Sequence, residues 1–522
     1  MTADSTRLRS YAEGRWHDGT GALVPLIDPT TEVLLGHCPS GGLDFAAAFD
    51  YARRVGGPAL ARLSFAERAE RIEAAVKVLH AHREVLIELS VECAGTTRGD
   101  AKFDIDGGLG TAQFYAGLGK TLGARRTLLD GDMVQLSRSP RYVGQHVLQS
   151  VPGLALHINA FNFPIWGLLE KAAPALIAGV PVVAKPAIPG GLLAYRAVEL
   201  LVAADVLPPG ALTVLFCEPD GLLGAVRAGD VVAFTGSSAT GRKVRGHDAV
   251  LSGFVRVNVE ADSVNAAVLD PDATDETTTL FAHEVVREMT QKAGQKCTAF
   301  RRVLVPESRL DEVQSDLTER LAAVKVGNPR STGVTVGPLI TAAQRDRARA
   351  GIAGLAASCR FVHGDGGSGA LVDVEAGRGF FVGPTLLRAE SVDTPRVHDD
   401  EVFGPVATLI PYSGDATAAA AAVARGQGGL CASVYSDDRD FVTTFVASAG
   451  PWLGRVNVGS EKIAPHGPGH GAVLPASIHG GPGRAGGGQE LGGLRGLELY
   501  LQRTVVQGDR PMLERALGVT PG

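Results

Sequence analysis

The chain has 522 residues, of which 45% are hydrophobic and 20% are charged, so it has the composition of a globular protein with a large core. This length predicts about three domains or subdomains. The formal net charge of −6 leaves no basic excess to neutralise phosphates, so the sequence predicts no nucleic-acid partner.

Cysteine spacing and the apolar segments indicate the cellular compartment in which the protein resides. The six cysteines form no CxxC pair, which predicts free thiols in a reducing environment and neither a disulfide framework nor a zinc site. The N-terminus lacks the apolar segment of a signal peptide. The longest apolar stretch, residues 172–184, carries two prolines and is too short to span a bilayer. We therefore expect a cytoplasmic protein without membrane contact.

The first half of the chain opens with short strand patterns and continues with helical patterns at 43–55, 65–94 and 104–122, and the second of these has Ser64 as its N-cap and Gly95 as its stop. Polar and apolar residues then alternate over 128–151 around a Ser-Pro turn, which predicts a hairpin, and a similar strand pattern recurs at 498–506. Exposed strands are edge liabilities unless they are paired. Subunit association is the simplest way to pair these strands, so the sequence predicts a homodimer or a larger homo-oligomer.

Residues 153–260 alternate between buried-strand and helical patterns, which predicts a parallel, doubly wound sheet. Ligands of such sheets bind at the carboxyl ends of the strands. Asn162, Lys185, the turn Phe234-Thr235-Gly236-Ser237 and Glu260 all follow predicted strands. A helix that begins just after the turn would offer backbone N–H groups to a pyrophosphate.

Two glycine-containing segments match nucleotide-binding motifs only in part. The match to GxGxxG at 481–486 has no strand pattern before it, so we interpret it as a chance match. The segment 236–241 fails as a P-loop because Arg242 stands where the motif needs Lys.

The pair His466 and His470 has helical spacing, but the Gly-Pro-Gly between them prevents a helix, so we predict a shaped loop without a metal.

The α/β alternation continues over 263–460, and Cys297 lies at one of its junctions. A helical pattern ends near Met289, Gly294 interrupts it, and a β-rich run follows from Arg302. A thiol at such a junction can face a cleft. Two nearby lysines, Lys292 and Lys296, would favour the thiolate. The alternative is a buried structural cysteine.

Ordered motifs connect these features. They are Asn162-Phe163-Pro164, Lys185-Pro186-Ala187, Phe234-Thr235-Gly236-Ser237, Glu260, Gly294-Gln295-Lys296-Cys297, Glu401-Val402-Phe403-Gly404-Pro405 and Glu490-Leu491-Gly492. Together they resemble the signature of the aldehyde dehydrogenase superfamily. The segments EADSVN, REMTQKAGQKCTAFRR and HGGPGRAGGGQELGG resemble one branch, which oxidises ring-cleavage semialdehydes in CoA-dependent benzoate and phenylacetate catabolism.

The resemblance implies an α/β, aldehyde dehydrogenase-like fold with two doubly wound parallel-sheet domains and a β-hairpin oligomerisation element. Residues 1–127 and 151–262 would form an NADP-binding domain, and 263–478 a catalytic domain. Residues 128–150 and 479–522 would supply oligomerisation strands and a C-terminal loop.

The resemblance also implies site roles. Cys297 would attack the aldehyde, the Asn162 side chain and the Cys297 backbone N–H would hold the oxyanion, and Glu260 would activate water. No metal is expected. Relatives usually carry small residues after the base, whereas this chain has Ala261-Asp262-Ser263, and Asp262 is close enough in sequence to alter the pKa of Glu260.

The residues implied for the cofactor are Lys185, Ile188, Phe234, Thr235, Gly236, Ser237, Glu401 and Phe403. Ile188 stands where NAD-preferring relatives often carry Glu. An isoleucine does not repel a 2′-phosphate and Lys185 offers a cation, so NADP is favoured, with NAD possible.

The implied substrate is a small aldehyde, and branch resemblance favours a CoA-linked semialdehyde. Three alternatives stay open from the sequence: a general medium-chain aldehyde dehydrogenase, a CoA-acylating aldehyde dehydrogenase and a thiol esterase. The Glu260 base argues against CoA acylation, and no Gly-x-Ser-x-Gly elbow supports serine chemistry.

Overall fold

The computed structural model describes residues 6–518. Its strands are β1 (Thr6–Arg7), β2 (Arg9–Ala12), β3 (Arg15–Asp18), β4 (Thr20–Ile27), β5 (Leu34–Gly41), β6 (Leu128–Gln135), β7 (Tyr142–Ser150), β8 (Ala155–Ile158), β9 (Val182–Lys185), β10 (Leu212–Val214), β11 (Val231–Thr235), β12 (Arg256–Glu260), β13 (Asn265–Leu269), β14 (Phe300–Pro306), β15 (Val326–Gly327), β16 (Arg360–His363), β17 (Leu371–Val372), β18 (Thr385–Arg388), β19 (Val406–Tyr412), β20 (Gly429–Tyr435), β21 (Leu453–Gly459), β22 (Ile478–Gly480), β23 (Gln489–Leu491) and β24 (Leu501–Asp509). The ends of the segments predicted at 1–127 and 479–522 lie outside the described residues.

The helices are α1 (Phe45–Tyr51), α2 (Gly57–Ala61), α3 (Phe65–Ala81), α4 (Arg83–Ala94), α5 (Arg98–Leu122), α6 (Trp166–Ala178), α7 (Gly191–Ala203), α8 (Ser238–Arg245), α9 (Asp248–Ser252), α10 (Asp275–Thr290), α11 (Leu310–Ala322), α12 (Ala342–Ala356), α13 (Ala416–Ala424), α14 (Arg439–Ala449), α15 (Arg495–Glu498) and α16 (Arg510–Leu517). Within residues 6–518, none of them has the length and apolarity needed to cross a membrane.

One seven-stranded sheet has the order β12-β11-β8-β9-β10-β2-β3. Strands β8 to β12 pair in parallel, and the β2–β3 hairpin extends the edge in antiparallel fashion. In the register of this sheet Lys185 lies opposite Ile158, Ile158 opposite Phe234, and Thr235 opposite Glu260. The predicted parallel sheet is confirmed, and its carboxyl ends lie along one edge.

A second seven-stranded sheet has the order β16-β18-β19-β14-β13-β20-β21 and is parallel except for β16. All of its strands lie within 265–459, so the chain passes from the first sheet to the second just after Glu260. Its central strands β13, β14, β19 and β20 are buried along their whole length, as expected for a parallel sheet covered on both faces. The predicted fold with two doubly wound sheets is confirmed.

The hairpin strands form a third, antiparallel sheet in the order β24-β7-β6. The registry runs from Leu501 opposite Ser150 to Asp509 opposite Tyr142. The two strand patterns therefore pair with each other within one chain, through β7 and β24, and the oligomeric state stays a prediction.

Local signals set the helix ends in the N-terminal part. The Ser64 hydroxyl accepts from the Glu67 backbone N–H, and the Glu67 carboxylate accepts from the Ser64 backbone N–H at 2.7 Å, a capping box that starts α3. The continuous helical pattern over 65–94 breaks at His82, whose φ and ψ are −108° and 14°. Gly95 ends α4 with φ 65°, as its position in the sequence predicts.

Candidate active site

Cys297 lies between α10 and β14, as the sequence predicts. The connection passes through three residues with positive φ, Lys292 (54°), Ala293 (53°) and Gly294 (69°). A Cβ on Gly294 would lie 2.1 Å from the Gly404 carbonyl oxygen, so only glycine fits there. After this turn Cys297 is only partly buried, and the residues on both sides of it are buried.

The thiol lines a pocket with about 510 Å³ of empty space, open solvent at its mouth included. Its walls combine apolar and aromatic side chains with a few polar groups. The lining residues are Phe103, Asn159, Ala160, Asn162, Phe163, Trp166, Gly167, Glu170, Lys171, Thr235, Glu260, Cys297, Thr298, Gly471, Val473 and His479. The structure therefore brings together the three residues predicted to be catalytic, Cys297, Glu260 and Asn162.

Glu260 ends β12 with a side chain that is almost fully buried. The Thr235 hydroxyl donates to its Oε2 at 3.2 Å, and Nε2 of His479 lies 3.0 Å from its Oε1. Burial alone would raise the pKa of Glu260, but the charge and hydrogen bond of His479, followed by the charge of Lys171 and a hydrogen bond from Cys297, outweigh it and lower the pKa to about 2. The carboxylate is therefore ionised at neutral pH.

The electrostatics of the thiol differ from the sequence expectation. Burial and the neighbouring Glu260 carboxylate raise the pKa of Cys297 well above its usual value. Lys296 does not counter this, because its ammonium forms a fully buried ion pair with Glu288 at 2.7 Å. Lys292 instead places its ammonium 4.4 Å from the centre of the Phe163 ring. The expectation that these lysines favour the thiolate is wrong.

Asn162 and the backbone around Cys297 provide hydrogen-bond donors. The Asn162 Nδ2 donates to the Gln295 carbonyl at 3.1 Å. The Cys297 backbone N–H donates no hydrogen bond within residues 6–518, so it is free to bind a substrate oxygen. Asn265 holds the other side of the residue, because its Nδ2 donates to the Cys297 carbonyl at 2.7 Å and to that of Ala299 at 3.0 Å.

Several residues of the site were not found by sequence reasoning. Asn265 closes the EADSVN segment, so the motif signal was present but its role was not. Lys171 lies within a mostly apolar helix, yet its buried ammonium bonds Glu490 at 2.9 Å and Glu170 at 3.1 Å. Burial raises the pKa of Glu170 to about 7. His479 stands at the start of the HGGPG segment.

The predicted cofactor residues lie along the carboxyl edge of the first sheet and at its junction with the second. Lys185 is 7% exposed, and its ammonium forms no hydrogen bond or ion pair with the described part of the chain. Ile188 is buried in the core next to α7. In the second sheet, the Phe403 ring lies 5.9 Å from that of Phe161, and burial raises the pKa of Glu401 to about 7.

More backbone N–H groups at the start of α8 are hydrogen-bonded within the chain than the sequence suggested. The Ser237 hydroxyl accepts from the Thr240 backbone N–H, and the Asp262 carboxylate accepts from the Ser238 backbone N–H at 3.1 Å. Two of the amides expected to meet a pyrophosphate are therefore already bonded within the chain. Asp262 has this capping role, and the pKa of Glu260 is set by other neighbours.

The residue types around the thiol are also metal ligands. One ligand atom each of Glu260, Cys297 and His479 lies within 4.8 Å of the others. These atoms contact one another, with 3.9 Å between the Cys297 sulfur and the His479 Nε2 and 3.0 Å between that nitrogen and the Glu260 Oε1. The predicted chance match at 481–486 forms a turn around a short 3₁₀ segment, Gly483–Ala485.

A model of the Aldehyde dehydrogenase family matches residues 16–506, and the chain belongs to this family. The 3,4-dehydroadipyl-CoA semialdehyde dehydrogenase of Aromatoleum evansii is 46% identical over 91% of this chain and 93% of that protein. The non-phosphorylating aspartate-semialdehyde dehydrogenase of Halomonas elongata is 30% identical over 95% of this chain and 94% of that protein. The protein is thus an aldehyde dehydrogenase, and such enzymes use NAD or NADP.

A solved structure agrees on the fold. Betaine aldehyde dehydrogenase of Staphylococcus aureus, a point mutant in complex with NAD⁺, has a TM-score of 0.84 at 23% identity and covers 96% of this chain and 97% of that chain.

Proposed function

We propose that the protein oxidises a CoA-linked semialdehyde from aromatic ring cleavage to the corresponding acid, with NADP as the oxidant and through a thioester on Cys297. The observation that carries the proposal is the shared pocket of Cys297, Glu260 and Asn162. The substrate class is supported by the 46% identity to a CoA-semialdehyde dehydrogenase over most of both chains. The cysteine chemistry would therefore act on a substrate that already carries a CoA thioester elsewhere.

The pocket suits the aldehyde end of an acyl chain. Phe103, Phe163, Trp166 and Val473 provide apolar walls, so a hydrocarbon segment would gain burial on binding. Polar groups are concentrated at the thiol. A bound chain would therefore be oriented with its carbonyl group toward Cys297.

In the first half-reaction, the Cys297 thiol would release its proton to bulk water and its sulfur would form a bond to the aldehyde carbon. The electron pair of the carbonyl moves to oxygen, which Asn162 Nδ2 and the free Cys297 N–H would hold. One such donor typically contributes ~3 kcal/mol to the transition state. A bound nicotinamide would supply the acceptor for the hydride that leaves this carbon, as the electron pair on oxygen re-forms the carbonyl group of the Cys297 thioester.

In the second half-reaction, Glu260 takes a proton from a water molecule as the water oxygen bonds the thioester carbon. The carbon–sulfur bond then breaks and releases the acid, and the proton on Glu260 restores the Cys297 thiol. Water is the acceptor in this scheme, so the release of the acid requires the ionised carboxylate beside the sulfur.

The buried ammonium of Lys185 supports the proposed cofactor. Lys185, buried and without a hydrogen bond or ion pair in residues 6–518, suits a bound phosphate or ribose oxygen, because burial outweighs its nearby charges and lowers its pKa. Ile188 contributes no carboxylate against a 2′-phosphate, which favours NADP. Glu401 and Phe403 would contact the nicotinamide end, and Phe234 to Ser237 would line the path between the two ends.

We also propose a homodimer or larger homo-oligomer in the cytoplasm, with 1–127 and 151–262 as the cofactor domain, 263–478 as the catalytic domain, and 128–150 and 479–522 as the oligomerisation segments. Apolar side chains on the third sheet support association, since Val134 is 55% exposed, Tyr142 44% and Val505 43%. Sedimentation equilibrium at micromolar concentration tests this, and a monomer would contradict it.

A kinetic panel tests the substrate and the cofactor together. CoA-linked semialdehydes and free aliphatic aldehydes would each be assayed with NAD and with NADP, following reduced cofactor, acid and free CoA. We expect a higher kcat/KM for the CoA-linked substrates with NADP and no consumption of free CoA. Equal efficiency on free medium-chain aldehydes would contradict the substrate class, and a tenfold preference for NAD would contradict the cofactor.

A further inference from the structure

His479 occupies a distinctive position in the pocket. It lies in β22, which forms a two-stranded sheet with β23 and places His479 opposite Glu490. Its side chain is 5% exposed, and its Nε2 lies 3.0 Å from the Glu260 Oε1 and 3.9 Å from the Cys297 sulfur. A carboxylate oxygen only accepts hydrogen bonds, so Nε2 is the donor of this contact.

The two oxygens of Glu260 are held by separate elements. The His479 ring, from the C-terminal segment, binds Oε1, while the Thr235 hydroxyl, from β11, binds Oε2. A carboxylate with a donor on each oxygen has a fixed rotamer, and here that rotamer faces the thiol. The threonine contact is neutral, so His479 is the one of these two donors that can also carry a charge.

We propose that His479 is a positioning residue for Glu260, which holds its carboxylate beside the Cys297 sulfur in the form that can accept a proton from water. The inference deepens the proposed function and rests on it, because it concerns the step that releases the acid.

Charged groups reach this pair from several elements. Burial lowers the pKa of His479, but the Glu260 carboxylate outweighs burial and raises it. The other titratable or charged groups that act on the pair are Cys297, Glu170, Lys171 and Arg455. Lys171 is bonded to Glu170 and Glu490, and among the described residues His479 is the group able to carry a positive charge that contacts Glu260 directly.

Removing His479 should therefore change how the rate depends on pH. With the pKa of Glu260 at about 2, the wild-type base is ionised at every pH at which the enzyme can be assayed. Without His479, less remains to offset the effect of burial on Glu260, so the pKa of Glu260 rises. The base is then protonated on the acid side, and kcat falls by about tenfold per pH unit below the new pKa.

The experiment compares His479→Ala and His479→Gln with the wild type. The glutamine amide nitrogen can reach Glu260 but carries no charge, and His466→Asn is the control, because His466 is an exposed histidine of the same loop region. Stopped-flow traces of reduced cofactor between about pH 5 and 9 separate the burst from the steady-state rate. We expect both His479 variants to gain an acid limb in kcat while the burst remains, with a smaller loss at high pH in the glutamine variant.

Thermal melting and cofactor titration of each variant check folding and binding. A uniform loss of kcat at all pH values would indicate a purely structural role and would overturn the inference. An unchanged pH profile in the alanine variant would overturn it as well.

A readout that needs no turnover separates this inference from the proposed function. Infrared difference spectra, with Glu260→Gln as the reference in each background, report the pH at which the Glu260 carboxyl group becomes protonated. A higher value in His479→Ala than in wild type supports the inference even if the substrate panel fails, and identical values contradict it even if the panel succeeds.

Discussion

Two thiols in the described part of the chain lie beside a histidine, and the two pairs differ in their surroundings. The Cys431 sulfur is 3.2 Å from Nε2 of His470, closer than the 3.9 Å between Cys297 and His479. His470 also donates from Nε2 to the Thr298 carbonyl at 2.7 Å and its ring lies 3.9 Å from that of Phe300. Burial lowers its pKa to about 3, so it is neutral.

The difference is made by one carboxylate. Glu260 contacts His479 and raises its pKa, whereas no carboxylate bonds His470 in the described residues. Proximity of a thiol to an imidazole is therefore not a sufficient sign of reactivity. The closer pair is closed off by its other contacts, and the looser pair faces a pocket.

The largest effect is expected from removing the Cys297 sulfur. Cys297→Ala should reduce steady-state oxidation by about 10⁴-fold or more, because the covalent intermediate cannot form. Cys431→Ala, the matched control, should keep turnover and lower the free energy of unfolding by about 1 kcal/mol. Product formation and denaturant unfolding measure the two effects, and equal losses of activity would remove the distinction between the pairs.

Replacing the carboxylate should separate the two half-reactions. Glu260→Gln should lower the steady-state rate by about 10²- to 10⁴-fold, because water loses its base. The first turnover should still give a burst of reduced cofactor, with an acyl group on Cys297 visible by mass spectrometry. Absence of both the burst and the trapped acyl group would contradict the role of Glu260 in release.

The same variant should make the free thiol more reactive. Because the Glu260 charge contributes to the raised pKa of Cys297, its removal should lower that pKa and increase the thiolate fraction at pH 8 by about tenfold per pKa unit. The rate of Cys297 alkylation by iodoacetamide measures this. The buried Cys431 should stay unmodified, and slower labelling of Cys297 in the variant would contradict the electrostatic account.

A smaller effect concerns stability. His470 is neutral in the folded state, with a pKa of about 3 against 6.5 as the ordinary value, so below about pH 6.5 the unfolded chain binds an extra proton. Its contribution to stability is present above this value and is lost as pH falls. His470→Gln should flatten the dependence by up to about 1.4 kcal/mol per pH unit, as measured by urea unfolding between pH 5 and 7. An unchanged slope would indicate a protonated His470.

The sequence was most informative where the signal is local. Ser64 and Gly95 predicted helix ends, and strand ends predicted Lys185, Thr235 and Glu260 on one sheet edge. The break at His82 was not predicted, because the apolar pattern runs through it. Pairing of β7 with β24 was also missed, since strands far apart in the chain carry no signal of which partner they will find.

The residues of the site also divide into those that local sequence signals predicted and those that they did not. Cys297 and Asn162 stand in ordered motifs beside predicted strands. His479 lies in a glycine-rich segment whose folded position depends on both sheets, and Lys171 lies in a helix whose other residues are mostly apolar. Lys296 does not stabilise the Cys297 thiolate because it forms a buried ion pair with Glu288. A count of the charges near Cys297 in the sequence does not show this pairing.

The glycine-rich segment after His479 has a consequence for which substitutions the chain can accept. A Cβ on Gly486 or Gly488 would lie 2.3 or 2.4 Å from the Val259 carbonyl oxygen of the first sheet, and one on Gly481 would lie 2.2 Å from that of Gly429 in the second. Backbone therefore packs on backbone across both sheets. A segment whose composition suggests a free linker is among those least able to vary, and alanine insertions there should be tolerated worse than in surface helices.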